Sequence, residues 1–332
     1  MKGETMSATM RPWHPARRFF IAALAALGLH AGAAQAWPEK PVRMLVAVPP
    51  GSAVDTTARF VARNLQQALG QPFLVENRPG GNSIIAAKAV AESAPDGYTL
   101  FVASNSPLVT NVAVFRELPY DAVRDFAPIA GIARFPMVLV VPATSPYRTM
   151  QQLVAGLRAA DGKMNYAAGT PTYQVTVELF HERNGVRGTP VPYKGTAPAI
   201  ADVAAGSVAY SIAEVSAVLP LVRAGKLRAL AVAAGERLKT LPDVPTFAEN
   251  GNKDFEAYAW TGVFAPGRVS PAIVQRVADA MRASMTSAEG VAFVESIGGI
   301  PFNVTPQQFR EFQLAEIEMT RRMVRNANIT IE

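Results

Sequence analysis

The chain has 332 residues, 49% hydrophobic and 17% charged, with a formal net charge of +6, 24 Gly, 26 Pro and no Cys. That length and apolar fraction suit about two globular domains and exclude disorder, a collagen-like repeat or a coiled coil. Without Cys there is no thiolate zinc site, iron–sulfur cluster or Cys nucleophile, and His14, His30 and His181 alone poorly supply a zinc site or a Ser-His-Asp triad, so no metal and no cofactor is expected.

Residues 1–36 read as a secretory signal. Lys2, Arg11, Arg17 and Arg18 make a basic start, Phe19–Leu29 an apolar run of 11 residues, and Ala34-Gln35-Ala36 a small-x-small cleavage site before Trp37. The run is too short for a bilayer span, which takes ~20 residues. Those four basic residues, less Glu4, hold +3 of the net +6, so the chain expected after cleavage is only weakly basic. It carries no Lys/Arg cluster or aromatic-interleaved basic stripe, and nucleic acid is not an expected partner. An exported, soluble protein is expected.

Val42–Val48, Phe73–Glu76, Tyr98–Ser104, Met137–Val141, Met164–Ala168, Ala209–Ala213 and Leu227–Ala233 read as strands, several of them continuously apolar. Amphipathic stretches separate them, which predicts an α/β fold around a parallel sheet covered on both faces. From Val54 to Leu69 the apolar residues Val54, Ala58, Val61, Leu65 and Leu69 share a helical face, and Gly70 follows as the C′ residue. Thr149 and Gln152 form a capping box. Ser270-Pro271 and Thr305-Pro306 each give an N-cap with Pro at N1, the latter with Gln308 at N3. Phe135–Pro142 and the extended Ala257–Pro266 offer two crossings between domains. If both cross, residues 37–138 and 259–332 build one lobe and 139–258 an inserted second lobe, after the signal 1–36. Two such lobes leave a cleft suited to a ligand.

Seven segments recur in order: Val48-Pro49-Pro50-Gly51-Ser52-Ala53-Val54-Asp55, Val75-Glu76-Asn77-Arg78-Pro79-Gly80-Gly81, Pro95-Asp96-Gly97-Tyr98-Thr99-Leu100, Leu118-Pro119-Tyr120-Asp121, Val191-Pro192-Tyr193-Lys194-Gly195, Gly225-Lys226-Leu227-Arg228-Ala229-Leu230-Ala231-Val232, and Leu241-Pro242-Asp243-Val244-Pro245-Thr246. From about Trp37 to the C-terminus this set resembles the Bug (Bordetella uptake gene) receptors, the substrate-binding proteins of tripartite tricarboxylate transporters. The resemblance implies a type II periplasmic-binding-protein fold, with two α/β lobes joined by two hinge strands and a ligand cleft between them. It also implies a periplasmic location, a small carboxylate ligand (a di- or tricarboxylate, an acidic amino acid or an aromatic acid), transporter membrane subunits as partners, and no catalysis. A monomer is the default for such a receptor. Gln174 stands where the family often has a His, and Ser52 where a second Gly is usual; both leave the ligand's identity open.

The candidate ligand residues follow from anion chemistry. Gly51, Ser52 and Ala53 sit where backbone N–H groups at a helix N-terminus can meet an anion. Gly169, Thr170, Thr172 and Tyr173 form a similar turn in the second lobe, with two hydroxyl donors. Thr196, expected to cap its helix, and Ala197 add further amides. Ser104 and Asn105, ending the third strand, either reach the ligand or satisfy their own turn, and Asp55 either complements the first helical turn or joins the site. Glu214 follows a strand and is either an exposed edge residue or the group that reads a cation or hydroxyl donor on the ligand. His181 is expected to be a solvated or packed helical residue, and Trp260 to pack at the hinge. Two other functions compete with transport: presentation of a ligand to a sensor kinase, and an exported Ser- or Asp-dependent enzyme. Against the enzyme stand the missing Gly-x-Ser-x-Gly, Walker A and metal-ligand motifs, although a Ser-Lys pair fits the composition.

Overall fold

One strand of 17 residues, β4 (Phe126–Pro142), organises the fold. The structure is a computed structural model that describes residue 3 and residues 37–326, so the secretory-signal reading falls outside the described residues except at Gly3. The chain divides into Met1–Glu39 and Lys40–Glu332, and every described strand and helix belongs to the second unit.

Up to Pro136, β4 pairs antiparallel with β9 (Tyr258–Pro266); from Met137 onward it pairs antiparallel with β7 (Ser211–Glu214) and β8 (Leu227–Ala233). One strand thus serves two sheets. The chain returns at Ala257, whose N–H donates to Ala233 O and whose carbonyl accepts from Met137 N. Two α/β lobes joined by two strands result. The sheet of lobe 1 runs β10-β4-β9-β3-β1-β2, with β1 Val42–Val46, β2 Phe73–Asn77, β3 Thr99–Ser104 and β10 Ile300–Pro301. In lobe 2, β5 (Asn165–Ala168) pairs with β6 (Thr189–Pro192), and the Tyr166–Tyr210 bridge joins β5 to the segment leading into β7.

The expected parallel sheet is in fact mixed. The pairs β1–β2, β1–β3 and β5–β6 are parallel, whereas β9 is antiparallel to both β3 and β4. The read strand Met137–Val141 is only the second half of β4. Its first half contains Pro128 and Gly131, which interrupt a strand pattern, and the register with β9 shifts at those two places.

Local signals in the helices hold better. Ser52 caps the helix Ala53–Leu69 by accepting from Asp55 N, and Gly70 closes it with a φ of 77°. Thr149 Oγ1 accepts from Gln152 N, while Gln152 Oε1 takes Arg148 N rather than the amide of Thr149. Thr305 and Gln308 exchange both bonds of a capping box at the start of the helix Pro306–Asn326. That helix packs Phe309 onto Trp260 and Phe264 in the core of lobe 1.

Lobe 2 holds a buried polar group instead. His181, 3% exposed, lies 2.6 Å through Nε2 from Tyr210 OH and 3.1 Å through Nδ1 from Glu178, which also accepts from Tyr166 OH. Burial raises the Glu178 pKa, but the hydrogen bonds from His181 and Tyr166 outweigh it and hold the carboxyl below its ordinary value. Replacing His181 by Phe removes a buried partner from both Glu178 Oε2 and Tyr210 OH. The expected cost is about 1–3 kcal/mol by denaturant titration; a change under ~0.5 kcal/mol, the range of ordinary surface substitutions, would show that the network does not hold the lobe together.

Candidate functional site

Four helix N-termini line one chamber of about 20 Å³, which is room for roughly one water. They belong to the helices Ala53–Leu69, Pro171–Asn184, Thr196–Ala205 and Val215–Arg223, and contribute Ser52, Ala53 and Val54, Thr170 and Tyr173, Thr196, and Glu214. Val48 after β1, Ser104, Asn105 and Ser106 at the end of β3, Phe135 of β4, and Ala259, Trp260 and Thr261 of β9 complete the wall. The site therefore lies where both lobes meet their connecting strands.

In lobe 1, Gly51 takes a φ of 85°, which lets the chain leave β1 and enter the helix. Asp55 braces this turn. Its buried carboxylate accepts from Gly51 N at 3.0 Å, from Asn77 Nδ2 at 2.9 Å and from Arg59 at 3.0 and 3.1 Å. Burial raises the Asp55 pKa, but these partners, Arg59 foremost, outweigh it and lower the pKa overall. Asp55 is thus already committed and does not line the chamber. The amides of Ala53 and Val54, in the first helical turn, have no acceptor within their own helix.

In lobe 2 the expected capping role of Thr196 is corrected. Gly195 is the N-cap, with a φ of 141°, and Thr196 is the first helical residue, donating its hydroxyl to Tyr173 OH at 3.2 Å. A Cβ on Gly169 would lie 2.8 Å from Thr196 Cα, so glycine there permits the two loops to touch. The turn Gly169–Tyr173 offers fewer amides than its sequence suggests. Pro171 has no N–H, and the amides of Tyr173 and Gln174 both donate to Thr170 O. What it supplies is Thr170 Oγ1, buried without a hydrogen-bond partner. Thr172 turns away from the chamber and shares hydrogen bonds with Ser106 Oγ at 2.9 Å and Thr110 Oγ1 at 2.8 Å, tying lobe 2 to lobe 1.

Glu214 is no exposed edge residue. It is 4% exposed, closes β7 opposite Met137, and leaves Oε2 without a partner. Burial pushes its pKa up to about 7, offset only slightly by its own backbone N–H.

Two larger spaces adjoin the chamber. An open groove of about 650 Å³ shares Ser52, Ala53 and Thr196 with it and includes Gly51, Ala197 and Lys226. A cavity of about 290 Å³ lies beyond Asn105 and Trp260, where the Arg134 guanidinium stands 4.2 Å from the Tyr258 ring. Trp260 accordingly both packs at the hinge and walls the chamber. Phe135, Ala259 and Thr261 escape a sequence reading because strand residues that line a cavity look like ordinary core. Among the described residues no group of three or more His, Asp or Glu is placed to hold a metal, and no helix is long and apolar enough to cross a membrane.

Comparison with known proteins agrees with this geometry. The family profile "Tripartite tricarboxylate transporter family receptor" matches residues 57–329. Protein BugT of Bordetella pertussis is 35% identical over 303 residues, covering 90% of this chain and 93% of its own length. The adipate-bound R. palustris protein Rpa4515 superposes with a TM-score of 0.86 at 33% identity, covering 89% of this chain and 99% of that one. The malate-bound MatC of Rhodopseudomonas palustris gives 0.83 at 29% identity, over 87% and 100% of the two chains. The fold is that of the two-lobed periplasmic binding proteins, and the chain belongs to the tripartite tricarboxylate transporter receptor family.

Proposed function

We propose that this protein is a periplasmic solute receptor, not an enzyme, that takes a small carboxylate between its lobes, at the chamber and the adjoining 650 Å³ groove, and hands it to the membrane subunits of a tripartite transporter. The observation that carries the reading is the convergence of four helix N-termini on one chamber that, among the described residues, has no Lys, Arg or His in its lining. Unmet amides and helix dipoles favour an anion without a buried base. The adipate and malate held by similar structures support the same ligand class. The receptor is a monomer, exported by residues 1–36, with lobe 1 built from residues 37–138 and 259–332 and lobe 2 from 139–258. Its ligand residues are Gly51, Ser52, Ala53, Ser104, Asn105, Gly169, Thr170, Tyr173, Thr196, Ala197 and Glu214. Ligand that touches both lobes only when they are closed shifts the population toward the closed form.

The test is thermal unfolding of the purified protein against mono-, di- and tricarboxylates, amino acids and aromatic acids. A ligand at 100 times its Kd stabilises the fold by about 2.7 kcal/mol. A flat response across all the acids, from folded protein stripped of carried-over ligand, would overturn the reading.

A further inference from the structure

Glu214 is the one carboxylate lining the chamber, and among the described residues no Lys, Arg or His lines it. A buried acid with an unmatched oxygen is costly unless something pairs it. The surrounding elements offer no such partner. Tyr173 OH accepts from Thr196 and makes no hydrogen bond to Glu214 Oε2, and Asp55 is held among Gly51, Arg59 and Asn77. On β4, Arg134 lies over Tyr258 in the neighbouring cavity; Lys226 lines the outer groove, and Lys194 is exposed. A cation to pair Glu214 when it ionises can come with the ligand. The first-turn amides of Ala53 and Val54, which line the same chamber and have no acceptor within their own helix, suit a carboxylate.

We infer that Glu214 meets a protonated amine on the ligand, so that the solutes taken are amino acids or other amine-bearing acids rather than plain di- or tricarboxylates. This rests on the receptor reading above and narrows its ligand. A second carboxylate at the same place would face an acid across a short, water-poor gap. An ammonium gives Glu214 a charge-assisted bond and has protons left for the unpartnered Thr170 Oγ1.

The inference has a proton signature. With its pKa held up to about 7 by burial, Glu214 is largely protonated in the empty receptor below that pH. An ammonium favours the ionised form and expels the proton. Affinity for an amine-bearing acid therefore rises through the neutral range and levels off above it. A plain dicarboxylate binds better with Glu214 protonated, so its affinity falls with rising pH.

Calorimetric titration of the purified protein with matched acids decides it: L-glutamate with glutarate, L-aspartate with succinate, and 4-aminobutyrate with butyrate, each across pH 5.5 to 8. The expected result is that an amine-bearing member binds at least tenfold tighter than its partner and releases a proton near pH 6.5, seen as a heat that depends on the buffer's ionisation enthalpy. Glu214→Gln should lose both the preference and the pH slope; proton release needs no variant and stands if that variant fails to fold. Tighter binding of the amine-free members, with affinity falling as pH rises, would overturn this inference and leave the receptor reading intact. Binding by neither set would also overturn this inference, and the receptor reading falls with it only if the thermal response to all the acids above is flat as well.

Discussion

Trp260→Ala is expected to lower folding stability by about 3–5 kcal/mol, the range for removing a large aromatic from a packed core. Trp260 is 1% exposed and meets Phe309 edge-on at 5.3 Å, with Phe264 at 6.2 Å and Phe312 at 6.1 Å. Its loss therefore undoes an aromatic cluster that fastens the helix Pro306–Asn326 to β9. The same ring separates the ligand chamber from the 290 Å³ cavity beyond it, so the variant should also bind its ligand more weakly. Urea titration measures the first effect, and a loss below ~1.5 kcal/mol, smaller than usual for a cavity of this size, would mean that neighbouring rings collapse into the space. Unchanged affinity would show that the wall does not shape the chamber.

Gly195→Ala is expected to reduce ligand affinity tenfold or more by holding the lobes apart. Its φ of 141° with ψ of 170° is almost exclusive to glycine, and a side chain there costs about 1–3 kcal/mol. A Cβ would also sit 2.8 Å from Pro49 Cδ, which belongs to the opposite lobe. Strain and obstruction are separable with Gly206→Ala, where φ is 80° but nothing lies within 4 Å of the added carbon. If the two variants unfold at similar temperatures and only Gly195→Ala binds poorly, contact with Pro49 is what opposes closure. Equal affinity for both would remove Pro49 from the closing mechanism.

Features set within a few residues of one another were legible in the chain. Leu227–Ala233 is a strand at its expected bounds because a run apolar but for Arg228 follows the turn at Gly225. Thr149 and Thr305 cap helices as their spacing suggests. The antiparallel pairing of β4 and β9 was not legible, since Phe126 and Pro266 meet only across the whole intervening lobe. The site shows the same division. Helix starts after glycine were visible at Gly51 and Gly195. The partners that occupy Asp55 and Thr172, namely Asn77 and Ser106, come from distant strands and helices whose approach no local pattern encodes. Glu214 was singled out by position, but its burial follows from β7 joining the far half of β4.

The place of β9 in lobe 1 governs the order in which the molecule can be completed. Strands β3 and β4 do not pair with each other; each pairs with β9, which lies between them and enters only after the whole of lobe 2 has passed. A chain delivered from its N-terminus thus holds two unsatisfied strand edges, on β3 and on the first half of β4, until Tyr258–Pro266 arrives. Such edges invite wrong partners, and a closure over so long a loop is slow. Lobe 2 can gather early around β5, β7 and β8, while its neighbour waits for the final quarter of the sequence. Premature termination between the end of β4 and residue 258 would consequently yield fragments prone to sticking together rather than a receptor lacking one part.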